Sequence, residues 1–149
     1  MKTIFHWDDS NKIFTTTMYY KGKQFIGVSK CHPDDMDYVS EKSGGYISEL
    51  RAEKKVLQHI KENEIKPELI LLTHLINNAK RSKHHNKDSY EFKLLLSQKK
   101  AKEVELKTII KDLEEIQHNL KTYIDSKDKI YKRLRERSKE IKAFNETSL

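Results

Sequence analysis

After Pro67 the chain contains neither proline nor glycine. All four glycines (Gly22, Gly27, Gly44, Gly45) and the other proline, Pro33, lie in the first 45 residues. The two strongest breakers of regular structure are therefore confined to the N-terminal part, and nothing local interrupts a helix beyond it. Cysteine is almost absent as well. The single Cys31 excludes an internal disulfide framework and fits a reducing cytosol. Long apolar runs are missing: the longest, Leu69 to Leu72, is far short of the roughly 20 residues that a membrane helix needs. The opening MKTIFHWDDS has too few apolar residues for a signal peptide. These absences predict a soluble, cytoplasmic protein with no membrane partner.

Acidic residues are outnumbered. Thirty Lys and Arg stand against 23 Asp and Glu, a net charge of +7. Such an excess suits anionic partners such as nucleotides, nucleic acid or acidic lipid, and equally serves solubility. Charged and hydrophobic residues each make up 36%. That is very polar for a single compact globule, but apolar residues recur regularly where charge is densest, which points to solvated helices and not to disorder.

The expected class is α+β: a small N-terminal antiparallel three-stranded sheet, two medium helices and a long C-terminal coiled-coil-like helix. KTIFHW, KIFTTTMYY and QFIGVSKC carry the β-branched and aromatic residues of strands. DDSN and KGK are the turns between them, and Gly27 marks a possible bulge. In HPDDMDYVS, Pro33 suits a first helical position, with Asp34 and Asp35 beside it, and Ser43, Gly44 and Gly45 end that short turn. The spacing Ile47, Leu50, Val56, Leu57, Ile60 predicts a helix from Tyr46 to about Glu64, and Pro67 starts the next. The parts expected are 1–45, meander and turn; 46–88, helical pair and basic loop; and 89–149, a helix for oligomerisation.

From Leu106 to Phe144 the a and d positions of a heptad repeat are apolar at ten of twelve places, Lys127 and Arg137 being the exceptions. This is a coiled-coil seam. An unbroken helix from Ser89 to Asn145 would be on the order of 85 Å long. Its seam calls for a partner helix, from a second copy or from a fold-back near Asp125–Lys129, and a homo-oligomer is the expectation.

The basic loop KRSKHHNKDSYE, Lys80 to Glu91, leads into that helix. Asp88 and Glu91 have capping-box spacing. Unpaired N–H groups and the macrodipole at a helix start, with Lys80, Arg81, Lys83 and Lys87 nearby and Asn86 adding an amide, make a phosphate-binding composition. A hydrated loop has the same composition. No glycine-rich phosphate cradle is present. Arg51 in LRAEKK belongs to a basic helical face that suits bidentate phosphate binding or a surface ion pair.

No residue set assembles a catalytic or metal centre. Cys31 and His32 in CHPDD are adjacent and point apart on a continuing strand; His84 and His85 are also adjacent and read as loop residues. The remaining histidines are scattered. No enzyme activity, metal or cofactor is expected.

Taken together, KGKQFIGVSKCHPDD, SEKSGGYISELRAEKK and NKDSYEFKLLL resemble the first Thoeris anti-defence family of phage proteins. The resemblance covers most of the chain by pattern and order. It implies a sponge that binds a cyclic ADP-ribose-type signal, or a cyclic oligonucleotide, without cleaving it. It also implies dimers or hexamers in the cytoplasm of an infected bacterial host. The family's ligand arginine falls on Arg51 and its ligand asparagine on Asn86. Where the family offers an aromatic ring, this chain has Ile76 and Asn77, with Tyr90 as a substitute. Basic residues farther along the helix correspond to Lys102 and Lys107. The expected ligand set is Arg51, Ile76, Lys83, Asn86, Tyr90 and Lys107. The alternative is a coiled-coil phage accessory or adaptor protein that binds nucleic acid or a host protein, supported by the basic loop and by KRLRERSK, Lys132 to Lys139; the interleaved Glu136 and Glu140 make nucleic acid the less favoured partner.

Overall fold

The computed structural model of the protein describes residues 1–30, 41–82 and 89–147. Three antiparallel strands, β1 (Lys2–Asp8), β2 (Ile13–Tyr20) and β3 (Lys23–Lys30), pair in chain order. Three helices follow: α1 (Glu41–Ile60), α2 (Lys66–Arg81) and α3 (Tyr90–Thr147). This is the expected α+β arrangement, small sheet first and long helix last. The described residues form two compact units, Met1–Val56 with Ile116–Leu149, and Leu57–Glu115. Among them, no helix is long and apolar enough to cross a membrane.

Both turns of the meander have a chemical cause. Asp8 Oδ1 accepts the amides of Ser10 and Asn11 at 3.1 and 3.2 Å, and Asn11 Nδ2 donates to Asp8 Oδ2 at 2.8 Å. These bonds, led by the Asn11 side chain, hold the Asp8 carboxyl below its ordinary pKa. Lys21 and Gly22 both have positive φ, 47° and 76°, the signature of a two-residue hairpin turn whose twist matches the strands.

In the first unit α1 lies on one face of the sheet. Gly44, Ser48, Ala52 and Val56, four residues apart, are all buried and form a narrow stripe of mostly small side chains. The stripe sets the distance to the sheet. A Cβ on Gly27 would fall on the Ser48 carbonyl oxygen and the Ala52 amide nitrogen, and one on Gly44 would fall in the Phe14 ring. The expected bulge at Gly27 is not there. Register runs regularly through Thr16↔Gly27, and the glycine serves the approach of strand to helix. Likewise Ser43–Gly45 do not end a helix; they lie inside α1, where the side chain missing at Gly44 lets Phe14 in. Between the layers, Ser48 Oγ donates to the Gly45 carbonyl at 2.9 Å, which leaves the Thr16 hydroxyl as donor in the buried 2.7 Å contact between Thr16 and Ser48.

The other side of α1 meets the C-terminal half of α3. Lys54 Nζ donates to Gln117 Oε1 at 2.7 Å, Tyr46 and Tyr123 rings meet edge-on at 4.8 Å, and Ile116 and Leu120 are buried. This corrects the expectation that the seam must find its partner in another copy or a fold-back. Over Ile116–Tyr123, α1 of the same chain supplies it. No fold-back occurs: α3 is helical straight through Asp125–Lys129.

In the second unit, Pro67 does not open a separate helix. Lys61–Ile65 form a π-helical turn that runs directly into α2, with the Lys66 amide bonded to the Lys61 carbonyl. Proline lacks an N–H and its ring crowds the carbonyl four residues back; a widened turn ahead of it relieves both. Asn63 Nδ2 donates to the His59 carbonyl at 3.2 Å, helping to satisfy the loosened ladder. Ile65, Leu72, Ile76 and Phe92 are buried. Lys102 on α3 pairs with Glu68 on α2 at 3.1 Å and with Glu105 at the same distance, and the Glu105 and Glu68 carboxylates raise its pKa.

Candidate functional site

The alternation of β1 and β2 places Trp7 opposite Phe14 on the α1 face, where their rings stack with centroids 3.8 Å apart and 21° between planes. Such a pair buries aromatic area and holds both rings rigid. Phe14 is buried over Gly44, whereas Phe5, two residues before Trp7 on the same face, is 59% exposed. α1 covers β2 and β3 and leaves β1 at the margin. The result is a cleft of about 230 Å³ bounded by Phe5, His6, Trp7, Phe14 and Thr15 from the sheet and by Gly45 and Ser48 from α1. Gly45 faces open space there, since a Cβ on it would meet nothing within 4 Å. The Ser48 hydroxyl is already engaged, and the His6 and Thr15 side chains alternate to the opposite face of the sheet, so the polar lining available to a ligand is backbone.

Lys12 brings positive charge to this end of the sheet. Its Nζ sits 5.5 Å from the centre of the Trp7 ring and 2.8 Å from Asp9 Oδ1, so its charge is in part already balanced. The cleft is smaller than the ~300–1,000 Å³ of most small-molecule sites, so it suits one planar ring system and not a whole dinucleotide.

The sequence-predicted ligand residues lie elsewhere. Arg51, in the first unit, donates from Nη1 to the Val28 carbonyl at 2.7 Å. Ile76, Tyr90 and Lys107 belong to the second unit. Ile76 is 4% exposed and spends its surface on the core of that unit, whereas Tyr90 is 78% exposed. Tyr90 and Lys107 are 17 positions apart on one helix, about 25 Å along its axis, too far to hold one small ligand together within a copy. Lys83 and Asn86 lie outside the described residues, as do the Cys31–Asp35 turn, His84, His85, Lys87 and Asp88. The helix start beside that loop is capped one residue later than expected: the Phe92 amide donates to Ser89 Oγ at 3.2 Å, and Ser89 takes the position assigned to Asp88.

The aromatic cleft was missed in the sequence, though its signal is there. Phe5 and Trp7 are two apart in a strand and must share a face. Among the described residues, no group of three or more His, Cys, Asp or Glu side chains is placed to hold a metal ion. No family model, curated protein or solved structure matches the chain.

Proposed function

We propose that the protein is a capture protein: it holds a cyclic ADP-ribose-type or other cyclic nucleotide signal without cleaving it, as a phage anti-defence sponge of the first Thoeris anti-defence kind, assembled as a homo-oligomer. The observation that carries this reading is the cleft at β1, where rigid stacked rings and an exposed phenylalanine offer flat apolar walls to a base. Stacking on aromatic side chains is worth ~1–3 kcal/mol per base. The order of KGKQFIGVSK, SGGYISELRAEKK and NKDSYEFKLLL supports the same reading. On this reading the roles differ from those the resemblance implies. Trp7 and Phe5 are the ring-binding candidates in the place given to Ile76 and Tyr90. Arg51 has one N–H committed to Val28 and offers a phosphate only the rest of its fork.

Titration calorimetry with cyclic ADP-ribose isomers and cyclic dinucleotides tests it. Binding to the wild type and at least tenfold weaker binding by Trp7→Ala are expected. Heat from none of these ligands, together with no small molecule released from heat-denatured protein, sinks the proposal.

A second reading rests on α3. Ile130 and Ile141 are exposed on the seam, and Lys132, Arg133, Arg137 and Lys139 are exposed between them. An adaptor or nucleic-acid-binding accessory protein would use that stretch. Phosphate-backbone binding would weaken steeply with salt in filter binding, whereas capture in an aromatic cleft would not.

A further inference from the structure

The two edges of the sheet are not alike. On the β3 edge, Lys55 Nζ donates to the Ile26 carbonyl at 2.6 Å and Arg51 Nη1 to the Val28 carbonyl at 2.7 Å. These cations occupy acceptors that another strand would need, which is how exposed edges are blunted. On the β1 edge the opposite holds. Ile26 and Val28 turn their backbone groups away from β2, so Thr17 and Thr15, opposite them, turn theirs toward β1. Ile4 and His6, opposite those, therefore bond inward, and Thr3, Phe5 and Trp7 present their N–H and C=O groups outward. Two other features agree with this phase. The Lys21–Gly22 turn is closed by Tyr20↔Lys23, which sets the same alternation from the hairpin end. The 3.8 Å stack of Trp7 on Phe14 belongs to the closer, non-hydrogen-bonded kind of cross-strand pair. Among the described residues, no backbone group of another element bonds to this edge. β1 carries no proline, and its central residues Ile4 and Phe5 are 42% and 59% exposed.

We propose that β1 is a dimerisation edge, on which a second copy of this chain adds its own β1 antiparallel to form a continuous six-stranded sheet. The register follows from charge. With Phe5 on the two-fold axis, Thr3 faces Trp7 of the second copy, Ile4 faces His6, and Lys2 faces Asp8, so that each end of the paired strands joins opposite charges. In this register every outward backbone group meets an outward group: three facing pairs exchange two hydrogen bonds apiece. A shift of two residues in one direction sets Lys2 against His6 and leaves Asp8 unpaired; in the other it sets His6 against His6 and Asp8 against Ile4. Neither has the complementary ends. The pairing covers Phe5, whose ring meets Phe5 of the second copy on the α1 face beside the Trp7–Phe14 cleft. Each cleft gains a wall from the other copy. The pairing itself does not depend on what the cleft holds.

Light-scattering mass of the full chain, with Phe5→Lys for comparison, tests the edge. The wild type is expected as a dimer or a multiple of one; Phe5→Lys, which sets two ammonium groups at the axis, is expected to halve the mass or raise the dissociation constant at least tenfold with an unchanged circular dichroism spectrum. Independently, Ile4→Cys with His6→Cys in a Cys31→Ser background is expected to form a disulfide-linked dimer under mild oxidation, because that pair is of the closer kind. A monomeric wild type overturns the proposal. So does an oligomer that gives no cross-link and keeps its mass in Phe5→Lys, which would place the contact on α3 or another surface. If Phe5→Lys fails to fold, the cross-link alone decides.

Discussion

The Arg51 guanidinium reaches from α1 across the margin of the sheet and donates to the Val28 carbonyl at 2.7 Å. Four residues on, Lys55 makes the equivalent bond to Ile26. One helical turn spans about 5.4 Å, and alternate strand residues lie about 6.6 Å apart, so two cations at i and i+4 can match two outward carbonyls at j and j−2. The basic helical face that suggests an anion site in the sequence thus also covers two acceptors on a sheet edge.

If that is the role of the pair, Arg51→Ala with Lys55→Ala uncovers two carbonyls on a half-apolar strand. The double variant is expected to lose about 1–2 kcal/mol in urea unfolding and to aggregate faster on warming, read by static light scattering. Unchanged aggregation kinetics would show that the edge needs no guard.

Close approach of β3 to α1 makes Gly27 intolerant. Gly27→Ala puts a methyl on helix backbone that cannot move aside, and a loss of about 3 kcal/mol or more is expected from denaturant melts. Gly45→Ala is the control. It lies in the same helix with open space beside it and is expected to stabilise by about 0.5–1 kcal/mol through helix propensity. It would also narrow the aromatic cleft, so a stabilised protein with weaker ligand binding would tie the two observations together.

The buried Thr16–Ser48 pair predicts non-additivity. Ser48→Ala strands the Thr16 hydroxyl and should cost about 1–3 kcal/mol, whereas Thr16→Val combined with Ser48→Ala removes both partners and should cost less than the sum of the single changes. A double-mutant cycle that closes to zero would show that the two hydroxyls do not interact.

Asp8 gives a pH signature with a definite sign. Its hydrogen bonds lower the folded pKa beneath the ordinary 3.8. Its contribution to stability is therefore complete above 3.8 and fades as the pH falls through the lowered value. Melting temperatures of the wild type and Asp8→Ala are expected to differ at pH 7 and to converge below pH 3.8. A gap that persists at lower pH would assign the loss to something other than the carboxylate.

Much of the architecture is legible in the chain because it depends on local periodicity. The strand alternation of KTIFHW and IFTTTMYY, the 3.6-residue pattern of α1 and the heptads of α3 are one-dimensional signals, and so are DDSN and KG as turns. Pro67 misleads as a boundary because a π turn absorbs it, and Gly44–Gly45 because the Phe14 ring fills the space that the side chain missing at Gly44 leaves inside the helix. Where the expected ligand residues lie relative to one another was less legible. Arg51 is a cation in the right kind of place, but a guanidinium bonds a carbonyl as readily as a phosphate, and the composition of LRAEKK does not distinguish them. Phe5 and Trp7 were visible as strand residues but not as a cleft, since a cleft exists only where α1 fails to cover β1.

The amino-acid order by itself determined which segments are strands, which are helices, and where apolar faces lie, because backbone sterics and side-chain periodicity act over a few residues. The tertiary structure alone decided that Gly27 serves contact, that α1 is the seam's first partner, and that the β3 edge is guarded while the β1 edge stays open. Each of those depends on which segments distant in the chain come together, and on ångström-scale clearance that no local pattern encodes.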